Sequence, residues 1–111
     1  MMLDVFKSDA FSLTKLIAAI NKIPYVPTRL GRLGLFGLPI PEEYGGMGGD
    51  YLALCVAIEE LARVDSSVAI TLEAAVSLGA MRLLRFGTEE QKREWLPRLA
   101  AGELLGGFGL T

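Results

Sequence analysis

Residues 66–86 read SSVAITLEAAVSLGAMRLLRF, and Glu73 is the one charge among them before Arg82. A helix drawn over this stretch is apolar all round, which is typical of a helix that its neighbours cover on most sides. Asp65 or Ser66 can cap its N-terminus, and Gly87 ends it. Its nearly uncharged part, 66–81, is shorter than the roughly 20 residues of a membrane span. We therefore predict a buried central helix and no membrane contact.

A second helix is predicted before the central one. Asp50 is a good N-cap for a helix that runs to about Arg63. Its apolar residues fall on one face at helical spacing. These residues are Leu54, Cys55, Ile58, Leu61 and Ala62. A loop over 37–50 precedes this helix, because two prolines and five glycines lie there.

A third helix follows the central one. Thr88 and Gln91 have the spacing of a capping box, and Pro97 lies inside the helix that they begin. Gly102 closes this helix, and the apolar residues after it have strand character. The predicted fold class is therefore all-α: a small helical bundle around a central apolar helix, with a nascent β-strand over 104–111.

The first 36 residues differ in character from the rest. We predict a short helix from about Ala10 to Lys22, followed by an extended passage that Pro24 and Pro27 impose. The predicted organisation is an N-terminal arm with one short helix over 1–36 and a helical domain over 37–111.

Composition excludes several classes of function. The chain has 111 residues, a net charge of −2 and no cluster of Lys or Arg, so we expect no nucleic-acid partner. It has no His, the commonest general base and metal ligand, and we predict neither catalytic residues nor a metal site. Cys55 is the single cysteine, which indicates a reducing, cytoplasmic location. Its place on the apolar face predicts a buried, inert thiol.

Two long stretches carry a resemblance to a known family. They are LGLFGLPIPEEYGGMGGDYLALCVAIEELARVD and SLGAMRLLRFGTEEQKREWLPRLAAGELLGGFGLT, in that order. Residues 33–111 resemble the N-terminal helical domain of the acyl-CoA dehydrogenases. These enzymes use FAD to dehydrogenate acyl-CoA thioesters at the α,β position. A glutamate removes the α-proton while the flavin takes the β-hydride.

The resemblance also implies sites. Phe108, Leu110 and Thr111 correspond to positions that contact the flavin ring. The positions that would line the acyl pocket are Ile70, Thr71, Ala74 and Leu78. Ordinary core packing is the alternative explanation for these last residues, and we favour it for this chain alone.

The resemblance places the chain's end before the family's β domain and before the helical bundle that carries the catalytic glutamate. Glu73 is not that base. We therefore expect a truncated domain that is inactive alone and does not hold FAD alone.

Two other interpretations stay open. Residues 1–36 resemble the N-terminal arm of lambda-type phage major capsid proteins, which would make the chain composite, either designed or joined by accident. The mean hydropathy of +0.41 also suits a small helical interaction module, such as an inhibitor or an antitoxin-like binder. In that case apolar helix faces would mediate self-association or bind a protein partner.

Overall fold

The computed structural model describes residues 25–110, and the predicted helix at 10–22 lies outside them. The described part is helical, and no strand occurs in it. Five α-helices follow one another, and a π-helical stretch, Ala74–Ala80, joins the third to the fourth. The α-helices are α1 (Tyr25–Arg32), α2 (Tyr51–Ala62), α3 (Ser66–Glu73), α4 (Met81–Phe86) and α5 (Glu89–Ala100). Short 3₁₀ turns occur at Leu35–Gly37 and Glu42–Tyr44.

The continuous helix Ser66–Phe86, called the central rod below, confirms the predicted central helix. Asp65 caps it by accepting hydrogen bonds from the backbone N–H groups of Ser67 and Val68, at 2.9 and 3.3 Å. The Ser67 hydroxyl donates to the same carboxylate oxygen at 2.6 Å. The Ser67 hydroxyl, followed by the two N–H groups, lowers the pKa of Asp65 below its ordinary 3.8.

The rod buries one side and exposes another. Leu72 and Val76 are buried, whereas Ile70 and Phe86 are 66% and 76% exposed. The expected cover on most sides is therefore not seen within residues 25–110. The rod has the length and composition of a membrane span, but a core helix of a globular domain meets the same criterion.

α2 packs along the rod through its buried face. The Asp50 carboxylate accepts from the Ala53 N–H at 2.8 Å, which confirms the predicted cap. Leu54 is completely buried, while Cys55 is exposed. The prediction of a buried thiol is therefore wrong. Adjacent residues point about 100° apart on a helix, so Cys55 turns away from the contact that buries Leu54.

Two groups of buried side chains form the core. The first joins α1, the first 3₁₀ turn, α2 and the rod through Leu30, Phe36, Leu54, Leu72, Ala75 and Val76. The second joins the glycine-rich loop, the rod and α5 through Ile40, Tyr44, Ala80, Leu96 and Ala100. The rod contributes to both groups, so it connects the two halves of the domain.

α5 begins with the predicted capping box. The Gln91 N–H donates to the Thr88 hydroxyl at 3.2 Å, and the Thr88 N–H donates to the Gln91 side chain at 2.9 Å. Buried Tyr44 also ties the loop to this helix, because its phenol donates to the Glu89 carboxylate at 2.9 Å. This hydrogen bond, followed by burial and the charge of Glu89, raises the pKa of Tyr44 above 10.0.

The structure corrects two further predictions. Pro27 lies in the first turn of α1 rather than in an extended passage, since a proline there forfeits no helical hydrogen bond. Residues 105–110 have no regular secondary structure, because no neighbouring strand within 25–110 offers them hydrogen-bond partners. Thr111 lies outside the described residues.

Leu54→Ala should lower the free energy of unfolding by about 2–5 kcal/mol, because it removes fully buried atoms and leaves a cavity. Leu52 lies on the same helix and is 69% exposed, so Leu52→Ala is the matched control and should change stability by about 0.5 kcal/mol or less. Urea unfolding followed by circular dichroism measures both variants. Equal losses would contradict the packing of α2 on the rod.

Ser67→Ala should move the pKa of Asp65 back toward 3.8, because it removes the hydrogen bond that lowers it most. A depressed folded-state pKa stabilises the domain above pH 3.8, and this contribution is lost as the pH falls through the folded-state pKa. The stability gap between wild type and Ser67→Ala should therefore narrow in acid. NMR titration of the carboxyl group, with Ser66→Ala as control, measures the shift. If the titration midpoint of Asp65 is unchanged in Ser67→Ala, the Ser67 hydroxyl does not lower the pKa of Asp65.

Candidate functional site

The four predicted acyl positions follow one side of the rod. Ile70, Ala74 and Leu78 are four residues apart, a spacing that keeps helical residues on one face. Ile70 is exposed, and Ala74 and Leu78 are half-buried. Thr71 is also half-buried, and its hydroxyl donates to the Ser67 carbonyl at 2.8 Å. This face leaves apolar and small side chains accessible.

A cleft of about 360 Å³ opens beside this face. Its lining residues are Tyr51, Glu73, Ser77, Leu78, Met81, Arg82 and Arg85. Leu78 is the one predicted acyl residue among them; Ile70, Thr71 and Ala74 lie outside the lining. Leu78 and Met81 are its apolar side chains, and its charges belong to Glu73 and the two arginines.

Sequence reasoning missed most of this lining. Glu73, Ser77, Met81 and Arg85 are four residues apart along the rod, so the helical register of 66–86 could have indicated them. Tyr51 comes from α2 instead, and its presence depends on how α2 packs against the rod. No local pattern in the sequence reports that packing.

The segment after α5 contacts the rod at Gly79. Gly106 packs directly on Gly79, the residue after Leu78. Beyond that contact Phe108 is 56% exposed and Leu110 is 87% exposed. Phe108 and Leu110 thus follow the Gly79–Gly106 contact by two and four residues.

Few groups within residues 25–110 offer metal or acid–base chemistry at the cleft. No cluster of three or more Cys, Asp or Glu side chains there could hold a metal ion. Glu73 lies in the cleft as a half-buried carboxylate. A cleft that combines apolar and charged side chains can bind and orient a ligand that has both an apolar and a polar part.

Comparisons with known proteins agree on one family. Residues 17–103 match the model of the acyl-CoA dehydrogenase N-terminal domain. A probable acyl-CoA dehydrogenase of Bacillus subtilis is 53% identical over 83 residues, which cover 75% of this chain and 22% of the relative. The chain thus spans about a fifth of that relative's length.

Two solved structures share the fold. Butyryl-CoA dehydrogenase from Megasphaera elsdenii superposes with a TM-score of 0.72 at 49% identity, over 77% of this chain and 23% of that one. An acyl-CoA dehydrogenase from Bacillus anthracis, complexed with FAD, gives a TM-score of 0.68 at 42% identity, over 72% and 14%.

The family match begins at residue 17, inside the predicted N-terminal arm. These matches give no support to a capsid arm or to a composite chain, while the boundary at residue 36 stays a prediction. The all-α fold, the family match and the structural neighbours agree. The chain therefore belongs to the acyl-CoA dehydrogenase family and carries that family's N-terminal domain.

Proposed function

We propose that this chain forms one wall of a flavin-dependent site that dehydrogenates acyl-CoA thioesters. The observation that supports the proposal is the contact of Gly106, two residues before Phe108, with Gly79, one residue after Leu78. A dehydrogenase must hold the acyl chain beside its electron acceptor, because the two exchange a hydride at contact distance. The chain after Gly106 would meet that demand by holding the predicted flavin residues beside the predicted acyl residues.

The exposed segment fits the edge of a flavin. Phe108 and Leu110 offer apolar surface that residues 25–110 leave uncovered, and a planar ring can cover such surface. A Cβ at Gly107 or Gly109 would meet nothing within 4 Å, so space is open on this segment. Phe108, Leu110 and Thr111 would hold the ring, and bound FAD supplies the acceptor for the substrate's hydride.

The acyl chain would lie along the face of the rod that carries Ile70, Thr71, Ala74 and Leu78. Small and half-buried side chains let an aliphatic tail approach the helix, and apolar burial contributes about 0.8 kcal/mol per methylene. Met81 and Ser77 extend this surface inside the cleft. The residues described here orient the substrate and exclude water from it.

We further propose that these 111 residues are inactive by themselves. The family resemblance implies a glutamate base outside them, and Glu73 does not correspond to it. Phe108, Leu110 and Thr111 would contact only the ring, which leaves most of a dinucleotide in water. A single wall of this kind gives too little contact to retain FAD.

A chimera tests the proposal. Residues 33–111 replace the matching segment of the Bacillus anthracis enzyme, and the product should bind FAD and reduce a dye with acyl-CoA. Phe108→Ala in the chimera should weaken flavin binding roughly tenfold, because it removes an aromatic contact. Flavin absorbance and fluorescence titration measure the change.

Val64→Ala is the control in the same chimera, because Val64 is 90% exposed and lies on the turn between α2 and the rod. It should leave flavin binding unchanged. The 111-residue chain alone should show no flavin absorbance after purification. A folded chimera without flavin, or full flavin affinity in Phe108→Ala, would contradict the proposed wall.

A second candidate function is self-association through exposed apolar side chains. α2 exposes Leu52 and Val56, at 69% and 52%, next to exposed Tyr51. A contiguous apolar surface of this kind is typical of an interface. Sedimentation equilibrium of the 111-residue chain should then show a dimer or larger assembly that Leu52→Glu disrupts. A monomer at high concentration would exclude this second function.

A further inference from the structure

Two glycines form a close contact between the C-terminal segment and the rod. A Cβ placed on Gly79 would lie 2.6 Å from the Gly106 Cα and 3.0 Å from its carbonyl carbon. A Cβ on Gly106 would lie 2.7 Å from the Gly79 Cα and 3.0 Å from the Ala75 carbonyl oxygen. Real Cβ contacts essentially never fall below 3.0 Å. Both positions therefore need glycine for the backbones to touch as they do.

The other glycines of the segment are not constrained in this way. A Cβ on Gly107 or Gly109 would meet nothing within 4 Å. Gly79 and Gly106 thus make a contact between distant parts of the chain. Gly107, which is next to Gly106, makes no such contact and can serve as a control. None of these glycines has a positive φ, so the requirement comes from space rather than from backbone conformation.

Little else fixes the segment. The Glu103 and Leu104 N–H groups donate to the Arg98 carbonyl at 3.0 and 3.4 Å. After Leu104, no backbone hydrogen bond within residues 25–110 ties 105–110 to the domain. The Gly79–Gly106 contact is therefore the next point at which the path of the chain toward Phe108 is set.

The rod is not a regular α-helix at this contact. Gly79 lies in the seven-residue π-helical stretch Ala74–Ala80. π-Helical turns are rare and frequently occur at functional sites. Ala75, whose carbonyl faces Gly106, belongs to the same stretch. The contact thus coincides with the part of the rod whose geometry departs from the ordinary helix.

We infer that Gly79 and Gly106 are positioning residues for the flavin wall. Their backbone contact lets the C-terminal segment cross the rod without an intervening side chain, and it thereby sets where Phe108 and Leu110 lie relative to Leu78. This inference rests on the proposed function for its purpose, but the geometric claim concerns this chain alone. A methyl group on either glycine forces the two backbones apart by about 1 Å or more, since carbon atoms pack at about 3.5–4.0 Å.

Spin labels measure the position directly. Cys55 is the only cysteine in the chain and is exposed, so Phe108→Cys creates a single labelled pair. Double electron–electron resonance then gives the distance distribution from residue 55 to residue 108. Gly79→Ala should shift or broaden this distribution, and Gly107→Ala, which adds the same methyl group in open space, should leave it unchanged.

A second labelled pair separates displacement of the segment from damage to the rod. Phe86 is 76% exposed at the end of the rod, so Phe86→Cys reports the rod relative to α2. The distance from residue 55 to residue 86 should be the same with Gly79 and with Gly79→Ala. If circular dichroism shows that Gly79→Ala has lost helix, Gly106→Ala serves as the test instead, because Gly106 lies outside the helices.

A distribution that shifts in Gly79→Ala and Gly106→Ala, but not in Gly107→Ala, supports the inference. An unchanged distance to residue 108 in folded Gly79→Ala and Gly106→Ala overturns it. This result does not depend on flavin, so it is distinct from the outcome of the chimera. Full flavin affinity in Phe108→Ala would contradict the proposed flavin wall. It would not affect the distances that the spin labels measure.

Discussion

The burial of Leu72 and Val76 on the central rod is the interaction on which the rest of the domain depends. Both side chains belong to a core that includes Leu54 of α2 and Phe36 of the first 3₁₀ turn. Full burial of each such side chain stabilises the fold by about 1.5–3 kcal/mol. The same rod supplies Ala80 to the second core group, where Leu96 brings in α5. Because these core contacts fix the position of the rod, they also fix the position of the site residues that the rod carries.

The side of the rod that escapes the core is the side available for a ligand. Ile70 is exposed and Leu78 lies in the cleft, whereas Leu72 and Val76 point into the protein. One helix therefore separates a side that forms the core from the side that carries the proposed acyl positions. Gly79 adds a third feature, because the missing side chain admits the segment that carries Phe108. The proposed site thus depends on the register of a single helix.

Local signals predicted the helix starts well. Asp50, Asp65 and Thr88 each cap through a hydrogen bond that spans only two or three residues, so the sequence contains both partners. Features that depend on contacts between distant segments were not predicted. The exposure of Cys55 and the cleft contribution of Tyr51 both depend on how α2 lies on the rod. The predicted strand at 104–111 failed for the related reason that strand character alone provides no partner.

The candidate site also combines features that the sequence indicated with features that depend on contacts between distant segments. Leu78 lies in the cleft, while Ile70, Thr71 and Ala74 lie outside its lining. The acyl role that the family resemblance implies for all four residues stays a prediction. The contact of Gly79 with Gly106 has no counterpart in composition or periodicity, since the two residues are far apart in the sequence. The π-helical stretch also lacked a sequence signal, because its residues are as compatible with an α-helix.

Amide hydrogen exchange along the rod tests the central role of this helix most directly. If the rod forms the core, the amides of Leu72, Val76 and Ala80 should be among the slowest to exchange and should open only with global unfolding. Amides of 105–110, which make no backbone hydrogen bond within the described residues, should exchange fastest. Exchange of the rod amides as fast as that of 105–110 would show that the rod does not hold the domain together.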